Sequence, residues 1–182
     1  MKWLFRAIFL ILAVFLIIMA VGATRPDSLT VEREVSIASA PEDVFYYIND
    51  LSVHPDWSPW ISLDDEEVVG GPSSGQGQTL GWKSLDGTLN QQTIIESLEG
   101  AFVRTELSQG GHNSLVTYAL TEDDKGDTDV MMSKEMQLGG FPYVQRIFTA
   151  RFKRDTTKSL TEGLSALKVL VENEAEFDEP TP

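Results

Sequence analysis

The stretch Val35-Ser36-Ile37-Ala38-Ser39-Ala40-Pro41-Glu42-Asp43-Val44-Phe45 joins a strand pattern directly to a helix pattern. Upstream of it, apolar and polar residues alternate from Leu29 to Ile37, with Arg33 as the single polar residue on the apolar face. Alternation of this kind is typical of a strand with one buried face. The stretch therefore predicts that the domain opens with a strand that runs into a helix.

The predicted helix has a start signal of its own. Ser39 and Glu42 have the spacing of a capping box, in which the hydroxyl and the carboxylate bind free backbone amides of the first turn. Pro41 is tolerated there because the first turn has no amide hydrogen bond to lose. The apolar residues on one face predict a short amphipathic helix that ends near residues 49–50. These residues are Val44, Ile48 and Leu51, with Phe45 beside them.

Further along, the sequence predicts a series of short strands separated by turns. After the proline-containing segment 54–59 and the glycine-rich loop 70–77, hairpin signals occur at Asp86-Gly87, Glu99-Gly100 and Gly110-Gly111. A further reversal is expected at 124–127. Short strands connected in succession favour an antiparallel sheet. The predicted strands are 64–69, 77–85, 88–97, 101–108, 114–122 and 128–138.

The period becomes helical again after residue 142. A stripe of apolar residues at steps of four, three and four predicts a long C-terminal helix that runs to about Glu172. The acidic residues 174–182 are expected to form a disordered tail, because they offer little apolar surface to bury. The stripe consists of Leu160, Leu164, Leu167 and Val171.

At the other end of the chain, residues 7–24 are eighteen consecutive uncharged and mostly apolar residues between Arg6 and Arg25. As a helix they span about 27 Å, close to the thickness of a bilayer core. We expect a transmembrane signal anchor at 7–24, with residues 1–6 in the cytoplasm because most of the positive charge precedes the apolar run. The domain then lies outside the cytoplasm, in the periplasm if the source is bacterial, on a short linker at 25–28. A cleaved signal peptide is the alternative, because Val21-Gly22-Ala23 has the small residues that a signal peptidase accepts.

Charge and cysteine content exclude several classes of function. The chain has 14 basic and 28 acidic residues among 182, and no cysteine. Three of the basic residues precede Pro26, so residues 26–182 carry 11 basic and 28 acidic residues, a formal charge of −17. A surface this acidic repels phosphate backbones, so nucleic acid is not expected as a partner. Thiolate zinc sites, iron–sulfur clusters and thiol nucleophiles are excluded.

Three patches of sequence occur in a characteristic order. The stretch 35–45 comes first, Asn49-Asp50-Leu51 with Trp57-Ser58-Pro59-Trp60 follows, and Gly163-Leu164-Ser165-Ala166-Leu167-Lys168 closes the series. Together they resemble the START-like (SRPBCC) superfamily, and the last two are similar to patterns of its polyketide cyclase/dehydrase branch. The resemblance covers about residues 29–173. It implies an α+β helix-grip fold, in which a curved antiparallel sheet of about seven strands surrounds the long C-terminal helix, here preceded by one transmembrane helix.

The resemblance also implies a cavity between the sheet and the long helix that holds an apolar molecule such as a lipid, sterol or polyketide. Met132 stands where many relatives have a tryptophan, so the cavity volume does not carry over. The aromatic residues offer large contact areas for such a ligand, although core packing accounts for them as well. The cavity candidates are Trp57, Trp60, Leu80, Trp82, Tyr118, Met132, Phe148, Leu160 and Leu164.

One basic segment stands out from the acidic domain. Residues 146–158 carry five cations and one acid, a local charge of +4, interleaved with apolar residues. Such a stretch suits contact with anionic lipid head groups or with the acidic head of a ligand. A salt-bridged helix that neutralises the acidic body is the alternative. The candidates for head-group contact are Arg146, Arg151, Lys153, Arg154 and Lys158.

Catalytic and metal-binding motifs are weak. His54 and His112 lie outside any Ser/His/Asp or HExxH arrangement, and we expect them to be structural or exposed to solvent. The acidic runs 64–67 and 123–129 lack the spacing of a calcium loop, and solvated turns explain them better. For an enzyme acting in the cavity, Arg104, Tyr118 and His112 are candidate catalytic groups, and none of them is an outstanding nominee. No cofactor or metal is expected.

These observations favour a membrane-anchored domain that binds a hydrophobic small molecule, a lipid or an isoprenoid-like compound. Two alternatives stay open. One is a polyketide cyclase- or dehydratase-like enzyme, which needs a titratable group with a shifted pKa in the cavity. The other is a tethered interaction module with a filled core and no ligand. The sequence names no protein partner.

Overall fold

The computed structural model describes residues 2–24, 26–62, 65–138 and 149–178. An N-terminal helix, α1, spans Lys2–Ala23 and is followed by β1 at Ser28–Ile37 and α2 at Pro41–Asn49. A 3-10 helix spans Leu51–Asp56. The remaining strands are β2 (Glu66–Gly70), β3 (Thr79–Lys83), β4 (Leu89–Leu98), β5 (Phe102–Gln109), β6 (His112–Glu122) and β7 (Thr128–Gln137), and the last helix is α3 (Thr149–Asp178).

The strands form one antiparallel sheet in the order β1-β7-β6-β5-β4-β3-β2. From β2 to β7, each strand pairs with the next one in sequence, which confirms the predicted succession of hairpins. The first strand closes the sheet by pairing with the last, from Ser28 opposite Gln137 to Ile37 opposite Thr128. An irregularity in β4 between Ile94 and Glu96 shifts its register with β5, a feature that bends a strand.

Helix α3 packs against the inner face of this sheet through the predicted stripe. Leu160, Leu164, Leu167 and Val171 are all buried in one cluster with apolar side chains from β1, α2 and the sheet. This arrangement, a seven-stranded antiparallel sheet with a long C-terminal helix, confirms the predicted α+β helix-grip fold. The cluster contains no residue of α1, so residues 26–182 hold a complete core of their own.

Helix α2 begins one residue later than the capping box requires, so that prediction is wrong. The N-cap residue is Ala40, which makes no side-chain capping hydrogen bond, and Pro41 occupies the first helical position. Glu42 is therefore the second helical residue rather than the third. The Ser39 hydroxyl instead donates to the Asp43 carboxylate at 3.2 Å.

Helix α3 continues to Asp178, past the predicted end near Glu172 and into the acidic segment expected to be disordered. Contacts with the first strand and first helix of the domain hold it there. The Glu172 carboxylate accepts a hydrogen bond from the Ala38 amide at 2.9 Å and pairs with Lys168 at 3.2 Å. The Tyr47 hydroxyl donates to the Glu174 carboxylate. Ala38 and Tyr47 are distant in sequence from α3, so local composition gave no sign of these two contacts.

Helix α1 is long and apolar enough to cross a membrane, with a mean hydropathy of 2.9 over its most apolar window. It contributes no apolar side chain to the domain core. Only residues 24–27 separate it from β1. Even fully extended, four residues cover about 15 Å, so the start of β1 stays close to the end of α1.

Candidate ligand pocket

A pocket of about 320 Å³ opens at one end of the sheet, between the last strands and the first turns of α3. Its size is at the lower end of the range for small-molecule sites. The loop between the 3-10 helix and β2 forms a third side. The lining residues are Pro59, Trp60, Gln109, His112, Asn113, Ser114, Lys134, Met136, Gln137, Leu138, Phe152, Asp155, Thr156 and Ser159.

The antiparallel register explains why residues far apart in sequence meet here. The turn between β5 and β6 lies at the same end of the sheet as the end of β7, because Ser114 is opposite Met136. The first turns of α3 then cover that end and bring Phe152 and Ser159 to the pocket. Phe152 leaves 42% of its surface exposed, so an apolar ring stands at the opening.

Lys134 is the buried charged residue of the pocket wall. Its residue exposure is 9%, and its Nζ lies 4.6 Å from the centroid of the Trp60 ring, a cation–π distance. Among the described residues, Lys134 has no carboxylate partner and no side-chain hydrogen bond. Burial lowers its pKa from 10.5 to about 8. The ammonium form therefore still predominates at neutral pH.

The inward position of Lys134 follows from the strand period. Val130, Met132, Lys134 and Met136 alternate along β7, and the first three are buried on the inner face. The sequence analysis did not identify Lys134. The signal was present, because a lysine in phase with three apolar residues of a half-buried strand is a buried-charge candidate.

The structure brings one described cavity candidate to this pocket, Trp60. The other described candidates lie in the core cluster beneath it, and as ligand contacts they remain predictions. Phe148 lies outside the described residues. The candidates in the core are Trp57, Leu80, Trp82, Tyr118, Met132, Leu160 and Leu164.

A polar cluster continues from the pocket wall into the core. The Trp60 indole donates to the Gln92 side-chain oxygen at 3.3 Å, and the Gln92 amide donates to the Thr105 hydroxyl at 3.0 Å. Tyr118 is buried in the core, and its ring centroid lies 6.3 Å from that of His54 in an edge-to-face arrangement. Burial raises the pKa of Tyr118. Tyr118 is thus neutral and enclosed, away from the pocket lining.

His54 is structural, which is one of the two outcomes expected for it, structural or exposed to solvent. It is fully buried, and its Nε2 donates to the Ile48 carbonyl at 3.0 Å. Its ring centroid lies 4.6 Å from that of Trp57, with the two ring planes tilted by 55°. Burial lowers its pKa to about 4, although the bond to Ile48 opposes the shift. His112, the other histidine, is exposed and lines the pocket.

The described part of the basic segment is exposed on the first turns of α3. Asp155, which also lines the pocket, lies 3.6 Å from Arg151 and 3.8 Å from Arg154, and Lys158 lies 3.6 Å from Glu162. Exposed pairs of this kind add little stability. The Arg151, Arg154 and Lys158 side chains remain 76–80% exposed. Lys153 is exposed as well, and Arg146 lies outside the described residues.

The pocket lies at the end of the sheet where the chain enters β1 after leaving α1. The Leu138 amide, on the pocket rim, donates to the Asp27 carbonyl at 2.7 Å. Asp27 follows the end of α1 by four residues. Within the described part of the chain, no group of three or more acidic or histidine side chains is arranged to hold a metal ion.

Comparisons with known proteins agree with this architecture. The model of a family described as polyketide cyclase/dehydrase and lipid transport matches residues 28–172. A Staphylococcus aureus protein of unknown function has a TM-score of 0.68 at 9% identity, over 85% of this chain and 99% of that one. No curated protein matches the sequence.

Two further solved structures have named functions of their own. Norcoclaurine synthase from Thalictrum flavum has a TM-score of 0.61 at 15% identity, over 81% of this chain and 96% of that one. The di-domain aromatase/cyclase StfQ of the steffimycin biosynthetic pathway has a TM-score of 0.63 at 14% identity, over 82% of this chain and 52% of that one. At these identities the likeness establishes the fold.

Proposed function

The chain belongs to the polyketide cyclase/dehydrase and lipid-transport family, and from that premise we propose that it is a membrane-anchored domain that binds a hydrophobic small molecule. The ligand is a lipid or an isoprenoid-like compound, held between the end of the sheet and α3. The observation that carries the proposal is the open pocket of about 320 Å³ with apolar walls from Trp60, Met136, Leu138 and Phe152.

The position of the pocket supports the membrane part of the proposal. The rim residue Leu138 is hydrogen-bonded to Asp27, and only residues 24–27 connect that point to α1. If α1 spans the bilayer, the short linker keeps the pocket within about 15–20 Å of the membrane surface. A sparingly soluble ligand then passes between bilayer and pocket over a short path. In this proposal the N-terminus is cytoplasmic and the domain extracytoplasmic.

Native mass spectrometry of residues 26–182, purified gently from a host that exports the domain, tests the proposal. We expect a non-covalent adduct with the mass of a small lipid, which disappears on denaturation. The variant Ser159→Phe fills the pocket from α3 and should lose the adduct.

A matched control exists on the same helix. Ser165 donates to the carbonyl four residues before it, as Ser159 does, but is exposed and lies outside the pocket. Ser165→Phe should therefore keep the adduct. A wild-type domain without adduct, or an adduct that survives in Ser159→Phe, contradicts the proposal and favours the interaction module without ligand.

A catalytic role is the second candidate, because two basic titratable groups, His112 and Lys134, line the pocket. His112 stands at the opening, and Lys134 lies deeper with a lowered pKa. A lysine whose pKa is lowered to about 8 suits general acid–base chemistry on a polyketide-like substrate. This candidate predicts that His112→Ala abolishes turnover of a linear polyketide while the adduct persists. Of the other two titratable groups considered, Arg104 pairs with Glu96 and Tyr118 is in the core.

A further inference from the structure

We infer that the ligand of this pocket is a single-chain amphiphile with a carboxylate head group, and that the Lys134 ammonium binds that carboxylate. The inference rests on the proposed function, since it assigns the chemical class of the ligand and the residue that recognises it. The family description names polyketides and lipids in general, and it identifies neither the ligand of this chain nor the residue that binds it.

The first argument is the solvation of Lys134. Lysine is almost never buried unless it is paired, because an ammonium loses its hydration without compensation. Lys134 is nevertheless 91% buried, and among the described residues only the Trp60 ring faces its charge at short range. A methionine, as found two residues away on each side at Met132 and Met136, would fill the same space without this cost. An anion in the pocket supplies the missing partner.

The second argument is the charge around the pocket. Asp155 is the one acidic residue in the described lining, and Arg151 and Arg154 lie within 4 Å of its carboxylate. The neighbouring Glu135 alternates to the opposite face of β7. Among the described residues, the charges in and beside the pocket are Lys134, Arg151 and Arg154 against Asp155, a net positive charge in a domain whose formal charge is −17. Such a local field favours a negatively charged ligand over a neutral one.

The third argument concerns which anion fits. A single ammonium neutralises one negative charge, which matches a carboxylate, whereas a phosphate monoester carries between −1.5 and −2 near neutral pH. The described lining contains no arginine to make the bidentate contacts that phosphate favours. The volume corresponds to roughly ten non-hydrogen atoms, if each takes about the volume of one liquid water. Octanoate has that size.

Equilibrium dialysis of the full chain in phosphatidylcholine nanodiscs, with empty nanodiscs subtracted, tests the inference. The probes are octanoate, 1-octanol and octyl phosphate. We expect the wild-type chain to bind octanoate at least about tenfold more tightly than 1-octanol. Lys134→Met should weaken octanoate binding by about tenfold to a hundredfold, as expected for a hydrogen bond to a charged group, and leave 1-octanol within about threefold.

Lys125→Met is the matched control. Lys125 is exposed in the turn between β6 and β7, at the opposite end of the sheet, and its removal should leave all three affinities unchanged. Lys134→Met should fold and melt at a higher temperature than the wild type, because it removes a buried charge that has no carboxylate partner among the described residues. The preference of the wild-type chain for octanoate over 1-octanol needs no variant at all.

Each contrary result has a distinct meaning. Equal affinities for octanoate and 1-octanol, or unchanged octanoate binding in Lys134→Met, overturn the inference and leave the hydrophobic pocket standing. Tighter binding of octyl phosphate than of octanoate overturns the assignment to a carboxylate. Failure of all three probes, together with a domain free of adduct in the mass spectrometer, overturns the proposed function as well.

Discussion

His54 combines complete burial with one hydrogen bond, and this makes the stability of the domain depend on pH. Its folded pKa of about 4 lies below the unfolded value of about 6.5. Between these two values the unfolded chain binds more protons than the folded one. The linkage relation then requires that stability fall as the pH falls through this window.

We therefore predict that the wild-type domain loses about 2 kcal/mol of unfolding free energy between pH 6.5 and 5 from His54 alone. His54→Gln keeps a donor for the Ile48 carbonyl and should remove this loss. His112→Gln, which changes the exposed histidine, should keep it. Urea denaturation at several pH values measures the slope, and equal slopes in wild type and His54→Gln would contradict the prediction.

Within α3, Gly163 lies close against Pro59 of the loop that carries Trp60. A Cβ atom at Gly163 would lie 2.6 Å from Cδ and 2.9 Å from Cγ of Pro59. Glycine is otherwise a poor helix residue, so its place in the interior of α3 follows from this contact. Pro59 also lines the pocket, and the glycine thus sets the distance between two of the pocket walls.

Gly163→Ala should destabilise the domain by about 1–2 kcal/mol, because the clash with Pro59 outweighs the better helix propensity of alanine. Ser165→Ala on the exposed face of the same helix should change stability by less than about 0.5 kcal/mol. Thermal and urea denaturation of both variants check this. A stabilised Gly163→Ala would show that the helix and the loop separate at little cost.

At the scale of the whole molecule, the domain has one side that suits an anionic membrane surface. This side comprises the pocket end of the sheet, the linker 24–27 and the basic first turns of α3. Arg151 and Arg154 are exposed on the first turns of α3, beside the pocket opening and Phe152. Basic residues near an anionic surface contribute about 1 kcal/mol each. The acidic remainder of the domain is repelled from that surface, which favours a single orientation.

The double reversal Arg151→Glu with Arg154→Glu should reduce binding of residues 26–182 to phosphatidylserine-containing liposomes by at least about thirtyfold. Lys125→Glu, at the opposite end of the sheet, should have little effect. Liposome co-sedimentation at low and physiological salt measures both. Unchanged binding of a folded double variant would show that these exposed cations serve only their pairs with Asp155.

The elements themselves were predictable because their signals are local. Alternation in β1 and the stripe from Leu160 to Val171 record which side of each element is buried, and the structure buries those residues. The start of α2 was predicted one residue too early, and the end of α3 was predicted too early as well. Near that end, Glu172 and Glu174 of α3 are hydrogen-bonded to residues distant in sequence, Ala38 and Tyr47.

The sequence by itself determined the strands, the helices, their order and the apolar N-terminal helix, because each depends on hydrophobic periodicity within one segment. Only the tertiary structure decided where the pocket lies. Trp60, Lys134 and Phe152 belong to three separate elements and meet because the sheet register and the packing of α3 bring them to one end of the sheet. Which group faces the buried Lys134 ammonium depends on how these elements pack together, so no single segment of the sequence predicts it.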